Sequence, residues 1–110
     1  MNQNLNLKAQ VKQILRVVQD QAPGRSVELR IPPYAAIECV GGSTHRRGTP
    51  PNVVEMSAET LLKLLENPVK WQQYCDLGSI SASGTNSNLG DLFAEVSKLM
   101  NSEVGSEHGK

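Results

Sequence analysis

The residues best suited to chemistry are three adjacent potential cations in a glycine- and proline-rich stretch. His45, Arg46 and Arg47 lie within residues 41–52, GGSTHRRGTPPN. Arginine can hold a phosphate or carboxylate with two hydrogen bonds, and the backbone N–H groups of such a loop can form an anion-binding nest. The stretch therefore predicts a site for an anionic head group. The other interpretation is a solvated loop whose charges aid solubility.

Nucleophilic and metal-assisted chemistry have little support in the sequence. Cys39 and Cys75 are far apart and have no CxxC partner, so we expect no zinc site. Both lie in apolar segments, where free cysteine is usually buried. His45 and His108 are the only histidines, and a cysteine–histidine pair would need close geometry and an orienting group. We predict no catalytic residue, metal site or cofactor; a hydrolase that uses Cys39 or Cys75 is the remaining catalytic hypothesis.

Residues 83–88, SGTNSN, form a third candidate because they precede a predicted helix. Helix N-termini attract anions, but this stretch lacks the lysine and the spacing of a phosphate-binding loop. Turn formation and helix capping by Asn86 or Ser87 account for its residue types. We therefore expect the stretch to be structural.

The elements that must position these residues follow from hydrophobic periodicity. Apolar residues at helical spacing predict a helix over residues 5–21, two helices between residues 57 and 78, and a last helix after residue 86. Ser57 is a candidate N-cap and Gly78 a candidate helix stop. Alternation with a period of two predicts four strands, over residues 26–31, 34–40, 53–56 and 79–83.

The order of these elements predicts the fold class. Three successive strands joined by loops suggest an antiparallel meander, and the fourth strand returns after two helices. We therefore expect an α+β architecture, with a small, mostly antiparallel mixed sheet and helices packed mainly on one face.

Composition limits the classes of protein that remain. Of 110 residues, 38% are apolar and 20% charged, which suits a globular protein. Eleven basic and eleven acidic residues cancel, which argues against a general nucleic-acid or anionic-membrane binder. No apolar run is long enough to span a membrane, and the polar N-terminus lacks a signal core, so we expect a cytoplasmic protein. We predict one domain over residues 1–100 and a disordered polar tail over residues 101–110.

Several segments together resemble the sterol-carrier-protein-like family, and most closely a short bacterial branch of it. They are RIPPYAAIECVGG (30–42), HRRGTPPNVVEM (45–56), the helix pair that ends at Gly78, and SISASGTNSNLGDLF (79–93). The resemblance implies a sheet with helices over one face and an apolar cavity between them, in which members carry sterols, fatty acids or acyl chains. This chain is short between its first helix and third strand, which favours a narrow groove over a full sterol tunnel.

Ten apolar side chains are expected to lie between the sheet and the helices. They are Ile37, Cys39, Leu61, Leu65, Trp71, Ile80, Ala82, Leu89, Phe93 and Val96. They either fill an ordinary close-packed core or line a ligand cavity, and the sequence leaves both interpretations open.

Together with the resemblance, these residues predict the non-catalytic binding or carriage of a nonpolar or amphipathic ligand. The ten apolar side chains would hold its tail, and His45, Arg46 and Arg47 would hold a polar head. The alternative is a protein-interaction or accessory module with a filled core, which would bind a partner or itself through the loop and an exposed sheet edge. Neither hypothesis involves nucleic acid or integral membrane contact.

Overall fold

A computed structural model describes the backbone of residues 2–42 and 52–108 and the side chains of residues 6–42 and 52–101. The predicted cation site, His45, Arg46 and Arg47, lies outside the described residues. In chain order the elements are α1 (Asn2–Gln21), β1 (Val27–Ile31), β2 (Ala35–Cys39), β3 (Asn52–Met56), α2 (Ala58–Glu66), a 3-10 turn (Pro68–Lys70), α3 (Trp71–Asp76), β4 (Ile80–Ser83) and α4 (Gly90–His108).

The predicted elements are all present, with shifted ends. Helix α1 begins at Asn2, three residues before the predicted start. Helix α4 continues to His108, through most of the stretch for which the sequence predicts a disordered tail. The hydroxyl of Ser57 accepts a hydrogen bond from the backbone N–H of Thr60 at 3.1 Å, which confirms the predicted N-cap of α2. Gly78 follows α3 with a φ of +82°, a conformation that glycine adopts without penalty.

The four strands form one mixed sheet in the order β2-β1-β3-β4. The pairs β1–β2 and β3–β4 are antiparallel, and β1–β3 is parallel. The mixed, mostly antiparallel sheet is confirmed, but the predicted meander is wrong because β3 pairs with β1 and not with β2. Helix α1 contacts β2, and the Gln19 side chain donates to the carbonyl of Glu38 at 2.9 Å. Strand β2 itself returns the chain between the parallel strands, because Cys39 at its end and Asn52 at the start of β3 both lie beside Val27 of β1.

The helices cover one face of this sheet. The strand side chains on that face are buried: Val27, Leu29, Ile31, Cys39, Val54, Met56 and Ile80. They form one apolar cluster with helix side chains such as Leu15, Leu61 and Phe93. Burying each such side chain contributes roughly 1.5–3 kcal/mol, so this interface supplies most of the driving force for folding.

The opposite face of the sheet carries charge. Arg30 lies 3.3 Å from the carboxylate of Glu28 and 3.7 Å from that of Glu55, and all three side chains are partly exposed. Exposed ion pairs of this kind contribute about 0–1 kcal/mol each. This face is therefore compatible with water without a covering helix, which leaves the helix-covered side and the ends of the strands as places for an apolar site.

Candidate functional site

The ten predicted lining side chains do not share one environment. Seven are nearly inaccessible members of the core: Cys39, Leu61, Trp71, Ile80, Leu89, Phe93 and Val96. Ile37 and Leu65 are half-buried against that core. Phe93 and Trp71 stack with ring centroids 6.2 Å apart, so the aromatic pair is used to fill the interior.

The prediction for Ala82 requires a correction. Ala82 lies opposite Val54 in the β3–β4 pair and so points to the helix-covered side, but it is exposed. Helix α3, the helix in contact with β4, has only six residues and is therefore about 9 Å long. A helix of this length covers Ile80, at the start of the strand, but does not extend over Ala82, which is open to solvent.

The described residues form a filled interface between helices and sheet. Five surface clefts can be described, and each is lined by at most one of the ten predicted residues: Leu65, Leu89 and Ile37 in three of them, none in the other two. The ten side chains therefore do not together enclose a ligand tunnel. Their predicted role in holding a ligand stays a prediction, and any site formed by described residues has to be sought in the clefts.

The largest of the five clefts lies where the sheet ends, and is here termed the sheet-end cleft. Its volume is about 510 Å³, and it is lined by Ala22, Val40, Gly41, Thr85, Asn86, Asn88, Leu89 and Leu92. Small-molecule sites commonly have volumes of about 300–1,000 Å³. The cleft gathers the end of α1, the residues after β2, the turn after β4 and the start of α4.

The side chains of this cleft divide into two chemical kinds. Leu92, Val40 and Ala22 supply most of the apolar surface, since Leu89 is only 3% exposed, whereas the polar side chains are uncharged hydroxyl and amide groups. Among the hydrogen bonds between described residues, none uses the side-chain amide of Asn86. An apolar wall beside hydrogen-bonding groups suits a molecule that has both an apolar and a polar part.

A buried amide fastens the turn that lines the cleft. Asn52 is only 2% exposed, and its amide nitrogen donates to the backbone oxygen of Ser26 at 2.8 Å and to the hydroxyl of Ser26 at 3.2 Å. Its amide oxygen accepts from the backbone N–H of Asn86 at 2.9 Å. One side chain therefore joins the starts of β1 and β3 to the turn after β4.

Asn52 was not among the predicted site residues, although it belongs to the stretch RRGTPPN, and Asn86 belongs to SASGTNSNL. The structure brings these two family-like stretches into direct contact. A signal was present, because asparagine is depleted in strands and here directly precedes the apolar residues of one. The partner of Asn52 could not be predicted from the sequence, since Asn86 lies 34 positions further along the chain.

The backbone beside the cleft adopts an unusual conformation at Val40. Its φ of +66° lies in the left-handed region, which is an outlier for a β-branched residue. The N–H of Val40 donates to the carbonyl of Ala22 at 2.6 Å, and its carbonyl accepts from the N–H of Ser26 at 2.9 Å. Gly24, with a φ of +147°, packs so closely that a Cβ there would collide with the Val40 backbone. Strained residues of this kind cluster at functional sites.

The turn after β4 has the structural chemistry that the sequence predicts, with a different capping residue. The hydroxyl of Ser87 donates to the carbonyl of Gly84 at 3.0 Å. The side-chain oxygen of Asn88, and not that of Asn86 or Ser87, accepts from the N–H of Gly90 at the first position of α4 at 2.9 Å. These bonds hold the polar side of the cleft in place at the start of a helix.

The two thiols are not arranged for nucleophilic attack. Burial raises the pKa of the Cys39 thiol to about 11, and burial together with Asp76 raises the pKa of the Cys75 thiol. Both shifts oppose formation of the reactive thiolate. Within the described residues, no three His, Cys, Asp or Glu side chains form a group that could hold a metal ion. Of the helices described, none combines the length and the hydrophobicity that a membrane crossing requires.

Comparison with known proteins adds one finding. A family model described as a bacterial SCP ortholog matches residues 3–94, which include all four strands and every lining residue of the sheet-end cleft. No curated protein matches the chain.

Proposed function

Because the chain belongs to the family of bacterial SCP orthologs, we propose that it binds a nonpolar or amphipathic ligand without catalysis and that the sheet-end cleft is the binding site. The family suggests a role in lipid binding or carriage, and the cleft supplies a place for it that the filled core does not. The cytoplasmic location predicted from the sequence is part of this proposal.

The observation that carries the proposal is the pairing of apolar and uncharged polar groups in one cleft of about 510 Å³. The tail of a ligand would lie mainly against Val40 and Leu92, which are half-buried in the cleft wall. Its head would accept or donate hydrogen bonds at Asn86 and Thr85. The predicted contact of an anionic head with Arg46 and Arg47 falls outside the described residues and stays a prediction.

The driving force would be burial of apolar ligand surface at roughly 25 cal/mol per Å², before the entropy costs of association. The cleft is an open surface feature, so a bound tail would be only partly removed from water. We therefore propose reversible binding of a single chain and not the permanent enclosure of a sterol-sized molecule.

A titration with cis-parinaric acid, a fluorescent fatty acid, tests the proposal. Leu92 is half-buried in the wall of the sheet-end cleft, and Leu62 is half-buried in a separate cleft between α1, α2 and α4. Leu92→Ser should weaken binding about tenfold, or ~1.4 kcal/mol, because it removes apolar contact area. Leu62→Ser is the matched control, which should reduce stability similarly and leave the affinity unchanged.

Two results would contradict the proposal. One is the absence of saturable binding to the unmodified protein. The other is an equal loss of affinity in both variants, which would indicate that the fatty acid binds elsewhere or follows the loss of stability. Thermal melting of both variants should accompany the titration, so that a folding defect is not mistaken for a binding defect.

One observation favours a second function, that of an accessory module without a ligand. Seven of the ten predicted lining residues belong to the core and fill the space in which a carrier would hold its cargo. A module of this kind would show no increase in melting temperature with any lipid, whereas a carrier is stabilised by its ligand through mass action. Melting curves recorded with fatty acids, fatty alcohols and monoacylglycerols would separate the two functions.

A further inference from the structure

A groove lies between helix α1 and the edge strand β2, and is here termed the edge groove. Its volume is about 260 Å³, and it is lined by Lys12, Leu15, Arg16, Gln19, Ala35, Ala36 and Ile37. The helix supplies all of its polar and charged side chains, and the strand supplies small and apolar ones. The edge groove shares no lining residue with the sheet-end cleft, so it is a separate candidate site.

The helical wall of the edge groove carries positive charge. Lys8, Lys12 and Arg16 are exposed and follow one another at intervals of four residues, so they form one row along α1, here termed the α1 cation row. Between described residues, no ion pair involves any of the three. Like charges at this spacing destabilise a helix. The row therefore opposes folding, and an anionic partner would remove the repulsion.

The strand wall of the edge groove is accessible to another extended chain. Strand β2 is the outermost strand of the sheet, and apart from its ladder to β1 no hydrogen bond between described residues involves Ala35, Ala36 or Ile37. The side chain of Gln19 donates to the backbone carbonyl of Glu38, so an acceptor of this edge can be reached from α1. The small side chains of Ala35 and Ala36 allow close approach of a further strand.

The two walls run in the same direction and have matched lengths. Gln19 bonds to Glu38, and further along both segments the carbonyl of Ala22 accepts from the N–H of Val40. The helical wall extends over seven positions, or about 10.5 Å, and the facing strand rises about 10 Å over three. The edge groove is therefore a straight channel along the strand.

This channel has the spacing of an extended peptide. Alternate side chains of a strand lie about 6.7 Å apart, and residues four apart on a helix differ by about 6 Å in rise. A strand added beside β2 would therefore bring every second side chain close to one member of the α1 cation row. Its other side chains would lie on the open face of the sheet, beside Ala36 and Glu38.

We propose that the edge groove binds an extended peptide of a partner protein in which acidic residues alternate with neutral ones. The backbone of the peptide pairs with β2, and its acidic side chains face Lys8, Lys12 and Arg16. The neutral side chains avoid repulsion by the carboxylate of Glu38. Addition of a strand to a sheet edge is a common mode of peptide recognition, in which alternate side chains supply specificity.

Other anionic partners fit the edge groove less well. The adjoining face of the sheet carries the carboxylates of Glu28, Glu38 and Glu55, which outnumber the two arginines paired with them. They would repel a wide polyanionic surface such as a membrane or a nucleic-acid duplex. Among the described residues that line the groove, none is aromatic, so a single-stranded base has no stacking surface. A narrow peptide follows the cations without meeting these carboxylates.

Fluorescence anisotropy with a labelled heptapeptide tests the proposal. In the probe, three glutamates alternate with threonines; in its isomer of the same composition, the three glutamates are consecutive. The contact is short, so the probe should bind weakly, with a dissociation constant above about 10 µM. The isomer should bind at least about fivefold more weakly, because only one of its glutamates can face the row in each strand register.

A double variant of the protein identifies the cations. Lys12→Gln combined with Arg16→Gln should weaken binding of the probe about tenfold, because two ion pairs are lost. Lys63→Gln combined with Lys98→Gln is the matched control, since both lysines are exposed on other helices and the change in charge is the same. The control should bind the probe like the unmodified protein. The melting temperature of the first variant should not fall, because repulsion within the row is relieved.

Two N-methylated forms of the probe test strand pairing itself. One carries methyl groups on the amides of the glutamates and the other on those of the threonines. A strand paired on one side uses the amides of every second residue, so one form should lose binding and the other retain it.

Four results would each overturn the proposal. They are equal affinity for the probe and its isomer, equal loss in the two double variants, equal affinity for the two N-methylated forms, and saturable binding of phosphatidylglycerol vesicles without binding of the probe.

Discussion

The helix–sheet core and the sheet-end cleft are neighbours that share Leu89, yet their backbones are held in different ways. The core is formed by side chains of regular helices and strands, and nearly all of it is inaccessible to water. The cleft is formed where those elements end, beside the left-handed Val40 and a turn fastened by Asn52. The regular region provides stability, and the irregular region provides open space with polar groups beside it.

This difference matters for a chain of 110 residues. A small domain buries a limited fraction of its surface and needs most of its apolar side chains for stability. A large internal void would leave too little packing to hold the fold. Binding at the ends of the elements avoids that cost, because the packing of the core stays intact.

The largest effect is expected in the core, for Phe93→Ala. Phe93 is fully buried and stacks on Trp71, so truncation should lower the free energy of unfolding by about 3–5 kcal/mol. Urea denaturation measures this loss. A loss below about 1 kcal/mol, accompanied by altered affinity for a fatty acid, would mean that Phe93 lines a ligand cavity and that the core is not filled.

Asn52→Ala should lower the free energy of unfolding by about 2–4 kcal/mol, the second-largest effect. The change leaves the buried backbone oxygen of Ser26 and the N–H of Asn86 without their partner. Urea denaturation measures the loss, and fatty-acid affinity should fall as well, because the turn is released. Asn101→Ala, at an exposed position, is the control and should change stability by less than about 0.5 kcal/mol. A stable Asn52→Ala protein would show that the turn is held by other contacts.

Gly24→Ala should lower the free energy of unfolding by about 1–3 kcal/mol. The new Cβ would collide with the backbone of Val40, and the φ of Gly24 is unfavourable for alanine. Gly41→Ala offers a matched control, since a Cβ there would lie at an ordinary 3.7 Å from the carbonyl oxygen of Pro23. Thermal and urea denaturation should separate the two variants clearly. Equal effects would argue against the close packing of Gly24 on Val40.

Val40→Gly should separate stability from binding. Relief of the left-handed strain, about 1–3 kcal/mol, is opposed by the lost apolar contact and by the entropy of glycine, so stability should change by less than about 1 kcal/mol. Affinity for a fatty acid should nevertheless fall, since part of the cleft wall is gone. Unchanged affinity in a folded protein, measured by the same fluorescence titration, would remove Val40 from the site.

The smallest effect on stability near neutral pH is expected from ionisation of the Cys39 thiol. Its pKa is raised to about 11 in the folded protein, so the stability linked to this thiol is complete below the unfolded pKa, near 9. That stability should decline as the pH rises through 11. Iodoacetamide should label Cys39 only after unfolding, as mass spectrometry would show. Rapid labelling of the folded protein would revive the hypothesis of a cysteine nucleophile.

Local patterns in the sequence were sufficient for the elements and for most of the core. Ser57 as an N-cap, Gly78 as a helix stop and the buried alternation of Val27, Leu29 and Ile31 all depend on residues close together in the chain. The prediction of a mixed, mostly antiparallel sheet under helices followed from their order. The resemblance to the sterol-carrier family rested on the same local stretches, and the family match over residues 3–94 confirms it.

Less of the candidate site could be predicted from the sequence. Of its lining residues, only Leu89 had been predicted to hold a ligand; Asn86 and Asn88 lay in a stretch assigned a purely structural role. Ala82 was predicted to be covered, because alternation along a strand gives the direction of a side chain and not the length of the helix above it. The ends of elements follow no periodicity, so side chains gathered there carry no common signal.

The sequence by itself determined where helices and strands form, which of their faces are apolar, and the family to which the chain belongs, because each of these depends on neighbouring residues. Tertiary structure alone decided that β3 lies parallel to β1, that Asn52 reaches Asn86, and that Val40 takes a left-handed conformation. These three features depend on segments far apart in the chain that meet only after packing. The cleft proposed as the binding site is formed by such contacts between distant segments. The apolar residues with the clearest periodicity in the sequence form the core beside it.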